Sequence, residues 1–226
     1  MTTPADNKQP KCIAILGGTG DEGGGLAHRW AYAGYDVIIG SRSAEKAQEA
    51  AAKLNAALGG GAIRGMANAD AARAADIAVL TVPYSAHRAT LESVREELQG
   101  KILIDVTVPL QPPNVATVSL PEGRSASEEA QVFLGEGVCV VAAFQNVSSV
   151  HLKDVTHAVA CDVLVCGDDS DAKKEAIALA EAAALRGLDA GPLANAVAVE
   201  ALTPVLISIN KRYKVRGAGI RITGIE

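Results

Sequence analysis

Two kinds of apolar pattern alternate along this chain. Short runs of five or six residues have an unbroken apolar centre, some with a charged residue at or near an end: Cys12 to Leu16, Tyr35 to Ile39, Asp76 to Thr81, Lys101 to Asp105, Val138 to Ala143 and Asp162 to Cys166. Continuous hydrophobicity marks strands buried on both faces, as in a parallel sheet. Between them lie stretches with apolar residues every three or four positions, the period of a helix packed on one side. These include the segment through Leu26, Ala27, Trp30 and Ala31, then 43–58, 69–75, 86–98 and 172–185. Ala62 to Met66 reads as one more short strand, and 188–192 as a turn region. Strand and helix in alternation predict an α/β protein, a doubly wound parallel sheet with right-handed crossovers.

Two segments stand out from this rhythm. Residues 110–123 form a long loop with prolines at 112, 113 and 121, closed by the capping box Ser125-Ala-Ser-Glu128 of a helix to Leu134. Its length marks it as a functional connection. Leu193 to Tyr213 reads as a long helix kinked or split at Pro204. Leu202, Val205, Leu206 and Ile209 make it apolar over most of its circumference. Burying more than one side of it calls for a second subunit, so a homodimer is expected.

Composition narrows the possibilities. With 226 residues, 49% apolar and 21% charged, the chain suits one or two globular domains. A net charge of −5 and only 3% aromatic residues argue against nucleic-acid binding. No uninterrupted apolar run reaches the roughly 18 residues of a membrane helix, and the polar first ten residues lack a signal-peptide core. A frayed tail, a cytoplasmic location and no membrane partner are expected. Cys12, Cys139, Cys161 and Cys166 have no C-x-x-C spacing, which points to buried reduced thiols and no metal site.

The chemistry begins where the first strand ends. Gly18-x-Gly20-x-x-Gly23 lies between that strand and the first helix, the order that aims unpaired backbone N–H groups at a pyrophosphate. Gly18 is expected to permit the turn, Gly20 to admit the phosphates and Gly23 to let helix and strand approach. Asp21 and Glu22 are counted with Gly23 among the residues at the cofactor, their side chains expected to point away from the phosphates or to serve as acidic first-turn residues. About 20 residues on, at the end of the second strand, the ribose-reading position carries Ser41 and Arg42, with Lys46 one helical turn later. A hydroxyl and two cations suit the 2′-phosphate of NADP, where an NAD site would carry a carboxylate.

Ligands of such a sheet bind at the carboxyl ends of its strands. Four segments should converge there: 18–23, Thr81 to Tyr84, Val106 to Pro109, and Ala142 to Ser148. Among their residues Gln145 and Asn146 are the notable polar groups, and no strong general acid or base is evident. His87 is read as a capping or solvent-facing residue, Asp105 as bonded to backbone, and His151 and His157 as unpartnered. A carbonyl or imine reductase needs a proton donor beside the acceptor. A flavin-like ring needs mainly to be stacked in hydride-transfer contact, so ring-to-ring transfer is the favoured chemistry.

Motifs in order along nearly the whole chain resemble the NADPH-dependent coenzyme F-420 reductases. They are Ile15-Leu-Gly-Gly-Thr-Gly20 with Gly23 and Gly25, Gly40-Ser-Arg42, residues 76–83, Arg124-Ser125, 165–169, 188–193, Glu200-Ala-Leu-Thr-Pro204 and Gly219-Ile220. The resemblance implies an oxidoreductase passing a hydride between NADPH and the deazaflavin. It implies a Rossmann-like NADP domain over 1–150, and a smaller C-terminal part, 151–226, completing the acceptor cleft and the dimer. By position, Thr19, Gly20, Ser41, Arg42 and Lys46 would hold NADP. Thr81, Val82, Pro83 and Ala143 would lie at the nicotinamide, and Gln145, Val147 and Leu193 would face the deazaflavin. An archaeal form of the motif has His at the place of Gln145. The basic end of the chain, Lys211, Arg212, Lys214, Arg216 and Arg221, would steer the anionic deazaflavin or stabilise a helix end. A flavin or ferric reductase and a non-catalytic NADP sensor are the rival readings. A β-hydroxyacid or imine reductase is disfavoured, because no Lys-x-x-Asn follows the sheet.

Overall fold

A computed structural model describes residues 11–61 and 63–225. The expected polar tail at 1–10 and the start of the strand expected at Ala62 lie outside them.

The sheet has eight strands in the order β3-β2-β1-β4-β5-β6-β7-β8. Its first six are β1 (Cys12–Leu16), β2 (Asp36–Ser41), β3 (Arg64–Ala67), β4 (Ile77–Leu80), β5 (Ile102–Asp105) and β6 (Cys139–Ala142), all parallel. The chain starts in the middle, at β1, builds outward through β2 and β3, then returns to lay β4 on the other flank of β1. Helices α1 (Asp21–Tyr32), α2 (Ala44–Ala57), α3 (Asn68–Ala74), α4 (Tyr84–Val94) and α5 (Ala126–Leu134) are the crossovers. This reversal beside β1 is the switch point at which a doubly wound sheet opens a crevice.

The sheet is not parallel throughout. β7 (Asp162–Gly167) pairs antiparallel with β6 through Val141 opposite Gly167, and β8 (Arg186–Asp189) runs parallel to β7. The chain passes from β6 to β7 through a loop and one helical turn, α6 (Ser149–Leu152), and no full crossover helix turns it back. β8 corrects the turn expected at 188–192: Arg-Gly-Leu-Asp has one large apolar residue and none of the continuous hydrophobicity that betrays a central strand. α7 (Ser170–Ala182) follows β7, capped by Asp169, whose carboxylate accepts from the N–H groups of Asp171 and Ala172.

Two apolar cores flank the sheet. One gathers Trp30, Phe144, Leu26, Ile13, Ile15 and Val163 beneath α1 and α7. Trp30 packs edge-to-face on Phe144 and donates its Nε1–H to the Leu179 carbonyl at 2.7 Å, so its polar edge is satisfied in the core. The other gathers Leu16, Ile38, Leu80, Leu91, Leu103, Leu134 and Leu193.

After β8 come a 3-10 turn, Leu193–Asn195, and the helix α8 (Ala196–Tyr213), which runs through Pro204 without breaking; a segment to residue 225 follows it. By length and apolar content the stretch 193–213 would also suit a bilayer span. Its inner face is tied into the protein: the buried Glu200 carboxylate accepts from Ala126 N, Ser127 N and Ser127 Oγ at 2.7–3.0 Å. Its outer face leaves Val205, Ile209 and Tyr213 exposed.

Candidate active site

The β1–α1 turn is built from glycines for separable reasons. The left-handed φ of +74° falls on Gly17, one residue before the expected turn position, and a Cβ there would lie 2.3 Å from Val82 Cγ1. Gly18 follows in the same turn, where a Cβ would lie 2.8 Å from the Ile15 carbonyl oxygen. At Gly23 a Cβ would lie 2.4 Å from Thr81 Oγ1 and 2.7 Å from Gly18 Cα, so this residue sets how closely α1 approaches the sheet. Gly20 is the N-cap of α1 with no side-chain cap, and nothing lies within 4 Å of its missing Cβ. The first N–H groups of α1 therefore open onto free space, as pyrophosphate binding requires. Asn68, not singled out in the sequence, accepts from Gly17 N at 3.3 Å and abuts Gly40, joining the ends of β1 and β2.

Ser41 ends β2 and is buried, whereas Arg42 and Lys46 are exposed beside it. Ser43 caps α2 by accepting from Lys46 N, and the nearby Glu45 bonds to Ser43 Oγ at 2.6 Å. Among the described residues neither Arg42 nor Lys46 is held in an ion pair. Two uncommitted cations at the carboxyl end of β2 fit a 2′-phosphate.

A cleft of about 410 Å³ opens on the β4 side of the switch point. It is lined by Gly20, Asp21, Glu22 and Gly23 of α1 and by Thr81, Val82 and Pro83 after β4. Its far wall is made by the segment after β5 from Val106 to Leu110, by Gln145 and Val147, and by Thr203 of α8. Much of the wall is apolar and suits flat rings. Thr19 lies instead at a second cavity of about 360 Å³, between α1 and α2, with Lys53 and Lys153. Ala143 is wholly buried behind the cleft wall, and Leu193 is buried in the core on the opposite side of the sheet from Trp30. Thr203 carries the missed contact: its hydroxyl donates to the Gln145 carbonyl at 2.6 Å, bringing α8 into the wall. The signal lay in the Glu200-Ala-Leu-Thr-Pro204 motif.

Gln145 donates its amide to the Asp105 carbonyl at 2.8 Å, and its Oε1 is buried without a partner. Behind it lies a polar core. His87 is buried, not solvent-facing, and its Nε2 meets Asp105 Oδ2 at 2.7 Å. Asp105 Oδ1 accepts from Thr107 N at 3.0 Å. Burial lowers the His87 pKa, but the Asp105 charge and hydrogen bond outweigh it and hold the imidazole above its ordinary value. Burial, and then the Asp105 charge, push the Glu200 carboxyl up to about 7. His151 and His157 also have partners, the Gly217 carbonyl and Asp154 Oδ2.

Asp21 points to solvent, 3.5 Å from Lys153, as expected of a residue beside phosphates. Glu22 does not. The side chain is half-buried along the cleft wall with its Oε1 shielded from solvent, and burial raises its carboxyl to about 8. The sequence places Glu22 at the cofactor turn but expects it to point away or cap the helix; here its carboxyl turns into the cleft wall.

A glycine-gripped helix N-terminus, two free cations at the end of β2 and a ring-sized cleft across the switch point define a dinucleotide-binding oxidoreductase of the doubly wound class. Residues 12–109 match the family model described as NADP oxidoreductase, coenzyme F420-dependent. A relative in Methanothermobacter thermautotrophicus named F420-dependent NADP reductase is 46% identical over 220 residues, spanning 94% of this chain and 95% of that one. Its namesake in Methanocaldococcus jannaschii is 44% identical over 222 residues, spanning 95% and 99%. A crystal structure from an Arthrobacter species, assigned as an F420-dependent NADP reductase, superposes with a TM-score of 0.80 at 27% identity, covering 93% of this chain and 98% of that one. This chain belongs to the coenzyme F420-dependent NADP oxidoreductase family.

Proposed function

We propose that the protein transfers a hydride between NADPH and the deazaflavin coenzyme F-420. The observation that carries this reading is the cleft itself, about 410 Å³, which runs from the pyrophosphate end of α1 to a largely apolar wall. Such a site works by holding donor and acceptor carbons in contact and excluding water.

Gly18, Thr19 and Gly20 hold the pyrophosphate, and Ser41, Arg42 and Lys46 the 2′-phosphate. Thr81, Val82 and Pro83 seat the nicotinamide with Ala143 behind them. Gln145 and Val147 face the acceptor ring, and Leu193 supports that side from the core. Residues 1–150 serve as the nucleotide-binding part. Residues 151–226 complete the acceptor side and, through the exposed face of α8, form a homodimer. Of the basic end, Arg221 lies 3.6 Å from Asp162, which leaves Lys211, Arg212, Lys214 and Arg216 to steer an anionic acceptor.

Mixing the protein with NADPH and oxidised coenzyme F-420 tests the reading, with NADH as control. Loss of the deazaflavin's visible absorbance with NADPH and little with NADH is expected. NADPH binding without bleaching would refute the acceptor and turn attention to flavins, ferric chelates or a sensing role.

A further inference from the structure

Among the described residues, the Oε1 of Glu22 has no hydrogen-bond partner in a place where a carboxyl oxygen should have one. Glu22 is the second residue of α1, immediately before Gly23, and lines the cleft with Thr81, Val82 and Pro83. Its Oε1 is buried and receives no hydrogen bond. The first turn of a helix favours a carboxylate. Burial outweighs that here, and the group titrates at about 8 with no charged neighbour contributing. At neutral pH it is therefore a neutral acid.

The sheet fixes which part of a dinucleotide would lie beside it. Ser41, Arg42 and Lys46 stand on the β2 side of β1, so the adenosine 2′-phosphate lies there. With the pyrophosphate over α1, the nicotinamide half falls on the β4 side, against Glu22, Val82 and Pro83. The nicotinamide ring is neutral when reduced and carries a positive charge when oxidised. A buried acid gains from ionising beside a cation and has nothing to gain beside a neutral ring.

We propose that Glu22 senses the redox state of the nucleotide, its carboxyl remaining protonated beside NADPH and releasing its proton beside NADP+. This rests on the NADP reading above. The other titratable groups are engaged elsewhere. Asp21, on the same turn, faces solvent with Lys153 from the segment after α6. His87 of α4 and Asp105 of β5 are spent on each other, and Glu200 of α8 on the start of α5. As the hydride carries two electrons from NADPH to the acceptor, the ring left behind becomes cationic, Glu22 becomes anionic, and its proton passes to solvent. The pair of groups keeps the same total charge throughout.

Calorimetric titration with NADP+ and NADPH at pH 7, in buffers of different ionisation enthalpy, counts the protons released. Any proton displaced from the 2′-phosphate is common to both nucleotides and cancels in the difference. NADP+ should release more protons than NADPH, by a fraction of a proton up to about one, since burial holds the carboxyl largely protonated near pH 7. Glu22→Gln should abolish the difference while still binding NADPH. Equal counts for the two nucleotides in the wild-type protein, or a difference that survives Glu22→Gln, would overturn the proposal and leave the NADP site standing. Failure of either nucleotide to bind would overturn the NADP reading itself.

Discussion

His87 and Asp105 are 18 residues apart, and nothing in the spacing links them. They meet only when α4 packs against the end of β5, which is why sequence periodicity assigned each a separate and simpler role. Removing one member of a buried pair leaves the other uncompensated. His87→Ala should cost about 3–5 kcal/mol of stability in urea unfolding, a larger loss than an exposed helix position gives. Because the folded imidazole titrates above its ordinary value, the charged pair stabilises fully below about pH 6.5 and this contribution fades as pH rises through the raised value. The wild-type protein should therefore lose stability across that window more steeply than His87→Ala. Arg42 lies at the opposite extreme. It is exposed and makes no internal ion pair among the described residues, so Arg42→Ala should leave stability unchanged. NADPH binding should weaken by about 1.5–3 kcal/mol, with NADH binding unaffected. Calorimetry with both nucleotides distinguishes these outcomes.

At the scale of elements, α1 is shaped by contacts on both faces. Gly25 meets α6 so closely that a Cβ would lie 2.6 Å from Leu152 Cβ. One turn further, the buried Arg29 guanidinium donates to the carbonyls of His151, Leu152, Asp154, His157 and Ala183. A single side chain thus organises the connection between β6 and β7. Arg29→Ala would orphan those carbonyls. Residues 151–157 should then exchange amide hydrogens much faster, while the amides of β1 and β4 keep their protection. The central strands were legible because burial on both faces leaves an unbroken apolar run. α6 and β8 were not legible: four residues are too few for a period, and what holds them is Arg29 in one case and pairing with β7 in the other. The glycine turn was legible as a motif, but its left-handed residue was placed one position late, since Gly17 and Gly18 are interchangeable on paper.

Across the whole molecule, the antiparallel turn at β6–β7 brings the C-terminal part back over the open end of the sheet. Asp162, wholly buried, fastens it there. Its carboxylate receives Arg186 Nε at 2.8 Å, Arg186 Nη2 at 2.6 Å and the Ile222 amide at 2.6 Å, while Arg186 donates to the carbonyls of Ile222 and Ile225. Sequence could place the cleft at the strand ends from topology alone. Periodicity could not show that α8 reaches it, because the Thr203–Gln145 bond spans 58 residues; only the motif at 200–204 carried that signal.

That bond has a kinetic consequence. Thr203 faces the cleft on the same helix whose Val205 and Ile209 face outward. Whatever covers those two residues also braces the acceptor wall through Thr203. Turnover per molecule should therefore fall on dilution as the proposed subunits separate, with the loss in the Michaelis constant for the deazaflavin and not in that for NADPH, whose grip is built on the other half of the sheet. Constant turnover through the dissociation range, followed by analytical ultracentrifugation, would uncouple the two faces of α8.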